Sequence, residues 1–289
     1  MIPKIIHYCW FGENPLSDLA KRCIASWKKY FPGYEIKEWN ESNFDLCCCD
    51  YVKEAYEAKK WAFVSDYARF KILYEYGGIY FDTDVEVIKP FDDVLSRGGF
   101  MGQEVGTLLS VNSTDKAADL LKPVVVSNPG LGIAAGPGLQ LYKDLLNHYD
   151  KLHFIKCGVI DTTTICIHTT DVLKRYGYDE HKAAIQYVAG ITIYPPEYFC
   201  PLNYITGEIV LEKNTHSIHW YGATWKSDFD INMSNKRMLC IKKYGEKKGF
   251  LLFKVFTISD RLERAINERG ILRTVIFLGE KVKKYFRID

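Results

Sequence analysis

"ILYEYGGIYFDTDVEVIKPF", Ile72 to Phe91, is the stretch that decides the fold. A helical segment runs into the glycine pair Gly77-Gly78, a short apolar run follows, and two aspartates, Asp82 and Asp84, close it one residue apart. Glycine ends helices because it accepts positive φ. The pattern is therefore helix, turn and buried strand, with carboxylates at the strand's carboxyl end, where open α/β sheets bind their ligands. If the pleat continues through "YFDTDV", the two side chains share a face. Carboxylates that close do not both stay ionised in a dry place without a cation. Mg²⁺ or Mn²⁺, hard ions that favour oxygen ligands, would answer that need. Such an ion keeps positions open for substrate phosphates and acts as a Lewis acid on a diphosphate leaving group. A lone D-x-D also suits a solvated turn, so its surroundings matter.

Upstream, "WAFVSDYARFKILYEYGG" places Asp66 and Arg69 three apart on a helix read from about Asp50 to Tyr76. They share a face distinct from the apolar stripe of Phe63, Tyr67, Phe70 and Tyr74. The pair reads either as an ordinary surface ion pair or as a holder of ligand hydroxyls. Further back, Ile2 to Phe11 reads as a strand. Ser17 to Tyr30 reads as a helix behind a proline and a candidate serine cap, with Ala20, Cys23, Ile24, Trp27 and Phe31 at helical spacing, and Tyr34 to Trp39 as a second strand. Strand, helix, strand is the opening of a parallel α/β sheet. Neither a dinucleotide fingerprint nor a phosphate loop follows the first strand. Downstream, Gly98 to Ser110 and Asn128 to Leu146 read as glycine-punctuated strands and loops before a helix. "GITIYPPEYFCPL" gives another strand, and "HSIHWYGATWKSD" a last strand and loop rich in rings.

With 289 residues, 47% apolar and 26% charged, the chain suits one main globular domain with an appendage. Its nine cysteines show no C-x-x-C pair, which reads as reduced thiols in a cytoplasm. The start, "MIPKIIHYCWFGENP", has neither a signal peptide's nor a membrane span's pattern. Charge divides the chain. From Lys236 to Asp289 there are 15 Lys and Arg against 6 Asp and Glu, leaving 23 against 30 before it. The expectation is a catalytic domain over 1–235 and basic amphipathic helices over 236–289. In the tail Ile271, Val275, Leu278, Val282 and Phe286 fall on one helical face beside Arg273, Lys281, Lys283 and Lys284. That pattern suits an interfacial helix on an anionic membrane, or equally a helix packed on the domain with its basic face in water. No nucleic-acid partner is expected.

"IPKIIHYCWFG", "SWKKYFPGYEIKEWNE", "SDYARFKILYEYGGIYFDTDVEV" and "IHWYGATW" together resemble glycosyltransferase family 32, which includes capsular-polysaccharide sugar transferases, yeast-type mannosyltransferases and the glucosylating domains of large clostridial toxins. The likeness spans roughly Ile2 to Trp225. It implies a GT-A type fold, a Rossmann-like mixed central sheet flanked by helices, here with a basic helical C-terminal extension. It also implies Mn²⁺ or Mg²⁺, a nucleotide-sugar donor such as a UDP-sugar, a saccharide or lipid-linked saccharide acceptor, and transfer with retention. Carried over by residue, it makes Trp10 the ring stacked on the donor base, Asp66 and Arg69 contacts to sugar and diphosphate, and Tyr80 a ring of the donor site. Asp82 would touch ribose, sugar or ion, Asp84 would ligate the metal, and Trp225 would close over the phosphates. Asp82, Asp84 and Arg69 form the implied catalytic set. His219 resembles the histidine that completes the metal site, with His216 as its competitor, because Ile218-His219-Trp220 departs from the His-His-Trp of many relatives. The resemblance implies surface-polysaccharide synthesis of the capsule type, while the reduced thiols and the basic tail point to a cytoplasmic enzyme peripheral to the inner face of the plasma membrane. Rival readings are a haloacid dehalogenase-type phosphatase, for which no convincing G-D-x-x-x-D is present, and a non-catalytic nucleotide-sugar-binding module.

Overall fold

The computed structural model describes residues 1–105, 125–156, 158–204, 206–222 and 228–270. The chain divides into two compact units, Met1–Asn203 with Glu208–Trp225, and Tyr204–Gly207 with the segment from Lys226 onward.

The first unit begins with β1 (Ile5–Cys9), α1 (Asp18–Tyr30), β2 (Glu35–Trp39), α2 (Asp50–Glu57), α3 (Trp61–Tyr76), β3 (Gly78–Tyr80) and β4 (Val85–Val87). It continues through α4 (Asp92–Leu95), β5 (Gly99–Val105), β6 (Val125–Ala135), α5 (Gln140–Tyr149), β7 (Ile155–Lys156), β8 (Val159–Ile160) and α6 (Ile165–Lys174). It closes with β9 (Gln186–Val188), β10 (Ile191–Tyr194), α7 (Pro196–Phe199) and β11 (Ser217–His219). Seven strands form one sheet in the order β2-β1-β3-β6-β5-β10-β9, while β11 pairs with β4 apart from it. β1 lies parallel to both β2 and β3, and β10 parallel to β5, whereas β6 runs against β3 and β5. The carboxyl ends of β1, β3 and β5 therefore share one edge. This is the mixed α/β sheet expected of a GT-A type fold.

Local chemistry accounts for these elements. Ser17 caps α1, its hydroxyl accepting from the Ala20 amide at 3.1 Å, and Ala20, Cys23, Ile24 and Trp27 form the buried face. The helix expected over Asp50 to Tyr76 is instead two helices. Lys59 takes a positive φ of 57° between them, a break that apolar spacing does not register. Gly77 and Gly78 both hold positive φ, and a Cβ on Gly78 would meet the Ile5 carbonyl at 2.7 Å. One apolar layer packs α2, α3, α5 and α6 against the sheet, and another packs α1, α4 and α7 on the opposite face.

The second unit contains α8 (Asp228–Tyr244), α9 (Glu246–Phe256) and α10 (Ile258–Arg269). α8 runs through position 235, where the charge count set the boundary. Trp225 and the face traced from Ile271 to Phe286 lie outside the described residues. No described helix is long and apolar enough to cross a membrane.

Candidate active site

β3 ends at Tyr80, so Asp82 and Asp84 do not share a continuing pleat; the Val85 amide instead returns to the Asp82 carbonyl at 3.0 Å. The carboxylates converge because this turn passes straight into β4. Register then sets His219 of β11 opposite Val85. Among the described residues, Asp82, Asp84 and His219 form the group suited to a metal, with one ligand atom from each lying within 4.8 Å of the others.

The two aspartates are held differently. Arg69 donates to Asp82 through Nη1 at 3.1 Å, to Asp66 through Nη2 at 3.0 Å and to the Ser65 carbonyl through Nε at 3.1 Å. Its side chain is 3% exposed and its guanidinium lies 4.9 Å over the Tyr80 ring. The Tyr80 hydroxyl donates to the other oxygen of Asp82 at 3.1 Å. Asp84 instead faces His219, Oδ1 to Nε2 at 3.2 Å, and its second oxygen accepts from the Gly222 amide at 2.8 Å. Burial pushes the Asp82 carboxyl up, Arg69 opposes, and the charge of Asp84 adds to the rise. Burial also acts on Asp84, but the imidazolium and the Gly222 amide overcome it and hold that carboxyl below the usual range. His219 titrates above its ordinary range, because Asp84 and Asp82 outweigh the burial that would lower it. Deep burial carries Asp66 up to about 7 even though Arg69 works against the rise.

These residues suit a hard divalent cation. Each aspartate supplies a carboxylate oxygen and His219 an imidazole nitrogen, a mixed oxygen and nitrogen set. The ion would also add positive charge where Asp82 and Asp66 share one arginine.

His216 belongs elsewhere. Its Nδ1 lies 2.7 Å from the Pro90 carbonyl, its Nε2 3.4 Å from Asp93, and its ring stacks on Tyr198. Trp10 follows β1 on the same carboxyl edge as Asp82, half-buried, with its indole N–H donating to the Asn14 carbonyl at 2.6 Å.

Several neighbours escape the sequence reading. Between Met101 and Gly102 of β5 the partner register jumps from Ile133 to Asn128, so residues 129–132 of β6 bulge out. The bulge brings Gly130 against Asp82, where a Cβ would stand 2.5 Å from Oδ2. Asn128 accepts from the Gly130 amide at 2.7 Å and donates to Glu104 at 2.8 Å. Glu104 also accepts from the Tyr221 hydroxyl at 3.0 Å, and the Tyr221 ring packs edgewise on His219 with centroids 4.3 Å apart.

The site is thus an acidic turn at the carboxyl edge of a mixed sheet, backed by a buried Asp-Arg pair. Residues 17–100 match the family described as glycosyltransferase sugar-binding region containing DXD motif. Over that stretch the chain is similar to this family of DXD glycosyltransferases. It is 30% identical over 111 residues to inositol phosphoceramide mannosyltransferase 1 of Schizosaccharomyces pombe, covering 35% of this chain and 33% of that one. It is 26% identical over 171 residues to inositol phosphoceramide mannosyltransferase 3 of the same yeast, covering 56% and 42%. A solved structure, the PaToxG glycosyltransferase, aligns with a TM-score of 0.38 at 17% identity, covering 60% of this chain and 69% of that one. The matched stretches span a third to two-fifths of the length of the yeast relatives.

Proposed function

We propose that the chain is a metal-dependent, retaining hexosyltransferase. It takes its sugar from a nucleoside diphosphate donor, in our reading a UDP-sugar, and passes it to a saccharide acceptor in surface-polysaccharide synthesis of the capsule type. The observation that carries this reading is the convergence of Asp82, Asp84 and His219 at the carboxyl edge of the sheet. Asp84 and His219 would hold Mn²⁺ or Mg²⁺, with Asp82 as the third group, and the imidazole favours Mn²⁺. When bound, the ion supplies Lewis-acid stabilisation of the departing diphosphate.

The protein's own groups do the remaining work. Arg69 keeps Asp82 and Asp66 paired in a dry setting and offsets negative charge beside the donor. Tyr80 fixes the Asp82 rotamer through its hydroxyl. In this reading Trp10 stacks on the donor base, Asp66 faces sugar hydroxyls and Trp225 closes over the phosphates. The acceptor hydroxyl attacks from the face that the diphosphate leaves and gives its proton to the departing phosphate oxygen, so no side chain serves as base.

Two relatives are named for mannosyl transfer and for inositol phosphoceramide, which supports a hexose donor and a lipid-linked acceptor. A surface-bound acceptor suits the second unit. Leu251, Val255 and Phe256 of α9 and Ile258, Leu262 and Ile266 of α10 are exposed, with Lys248, Lys254 and Arg261 exposed among them. Apolar side chains set among cations favour an anionic bilayer at the cytoplasmic face, each basic residue contributing about 1 kcal/mol near the surface.

The test is incubation of the full chain with Mn²⁺ and a panel of UDP- and GDP-hexoses, following nucleoside diphosphate release. Slow, metal-dependent release that quickens with a saccharide acceptor is the expected result. Binding without turnover would leave a binding module, and hydrolysis of simple phosphate esters would favour the phosphatase.

A further inference from the structure

A ligating histidine is normally oriented by what its second ring nitrogen donates to. His219 lacks that support: with Nε2 turned toward Asp84, its Nδ1 is buried and without a hydrogen-bond partner. The ring orientation has to come from packing. The contact that provides it is Tyr221, edge-on at 4.3 Å with an interplanar angle of 64°.

Tyr221 itself sits in an uncommon backbone state, φ 49°, which a non-glycine residue holds only when its surroundings enforce it. Its hydroxyl is held from two sides, donating to Glu104 Oε2 at 3.0 Å and lying 3.0 Å from the Cys200 thiol. Glu104 is a half-buried carboxylate near the carboxyl end of β5 that the proposed reaction does not use. It also accepts from Asn128 at 2.8 Å and from the Cys166 thiol at 3.5 Å. Asn128 in turn anchors the Gly130 amide, whose backbone lies against Asp82. Glu104 is thus the point where the support of His219 meets the support of Asp82.

We propose that Glu104 is the positioning residue of the metal site, orienting His219 through Tyr221 and, through Asn128, the bulge that seats Asp82. This rests on the reading of Asp82, Asp84 and His219 as metal ligands. Glu104 touches none of the three by a hydrogen bond. Its effect passes through the Tyr221 hydroxyl and the Asn128 amide, so removing that hydroxyl alone should reproduce the His219 share of the loss.

The test is Mn²⁺ affinity by titration calorimetry on the full chain, with the thermal midpoint measured on each protein. Glu104→Ala should weaken Mn²⁺ binding about tenfold, the usual size of an outer-shell loss. Tyr221→Phe, which keeps the ring and drops only the hydroxyl, should move affinity the same way. Glu104→Gln, whose amide oxygen still accepts both bonds, should recover most of the affinity. Variants that stay folded and bind Mn²⁺ as tightly as the parent would overturn the proposal. So would a loss in Glu104→Ala that Tyr221→Phe does not share at all, since the orientation of His219 would then not run through that hydroxyl. A parent chain that binds no Mn²⁺ would instead sink the metal reading itself.

Discussion

Asp82 and Asp84 stand one residue apart yet belong to different regions of the molecule. The Asp82 side is built by α3 and the sheet: a guanidinium shared with Asp66, a tyrosine hydroxyl and a glycine-lined bulge occupy its oxygens. The Asp84 side is built by β4, β11 and the residues after His219, where a histidine and one backbone amide are the partners. The two carboxyls shift in opposite directions, Asp82 up through burial against the pull of Arg69, and Asp84 down through His219 despite its own burial. One aspartate is committed to the protein. The other keeps a partner that an ion can take over.

The largest effect should come from breaking the committed side. Arg69→Met leaves Asp66 buried without its cation and takes the guanidinium from the half-buried Asp82, and removing one partner of a buried pair costs about 3–5 kcal/mol. Denaturant unfolding should show that loss as a lower midpoint at unchanged slope. Breaking the other side should act on chemistry more than on folding. Asp84→Ala should lower metal-dependent donor turnover on the order of 10²-fold, roughly 3 kcal/mol of barrier. Its unfolding midpoint should move less than that of Arg69→Met. If the two variants exchange these signatures, the division between the sides is wrong.

A pH scan separates both sides from the scaffold beneath them. At the other end of β3, His7 accepts from the Trp39 indole through Nδ1 at 3.1 Å, so its Nε2 carries the hydrogen and donates to the Gly77 carbonyl at 2.9 Å. Burial pulls its pKa from 6.5 to about 4, with the Gly77 bond opposing and Lys37 adding to the fall. The unfolded chain therefore binds the proton first. Stability is fully present above pH 6.5 and drains as the pH falls toward 4, by up to about 3 kcal/mol. His7→Gln should flatten that slope in thermal melts taken across the window.

Much of this was legible in the sequence, and the reasons for the remainder are physical. The Ser17 cap, the glycine stop after Tyr76 and the aspartates after β3 are local features, so spacing finds them. The break at Lys59 is a single backbone torsion that the apolar pattern on either side does not reveal. The shared side of Asp82 and Asp84 was expected from a continuing pleat, but a turn and the pairing of β4 with β11 produce it. Glu104, Asn128 and Tyr221 were missed because β5, a bulge in β6 and the segment after β11 bring them together across more than a hundred positions. The one available hint was Gly130 next to Pro129, a pair that does not belong in a regular central strand.

The smallest expected effect tests that bulge. Gly130→Ala deletes nothing: it adds one methyl, which must stand 2.5 Å from Asp82 Oδ2 and 3.0 Å from Asn128 Oδ1 unless something moves. Arg69 and Tyr80 both grip Asp82, so the strain falls between the bulge backbone and the aspartate, and overpacking of this kind costs about 1–3 kcal/mol. The atoms nearest the methyl belong to Asp82 and Asn128, not to Asp84 or His219. Mn²⁺ affinity should therefore fall, but by less than in Asp84→Ala, while the thermal midpoint drops modestly. A Gly130→Ala protein with metal binding as poor as Asp84→Ala would mean that Asp82 ligates as strongly as its neighbour, and the contrast between the two sides would collapse.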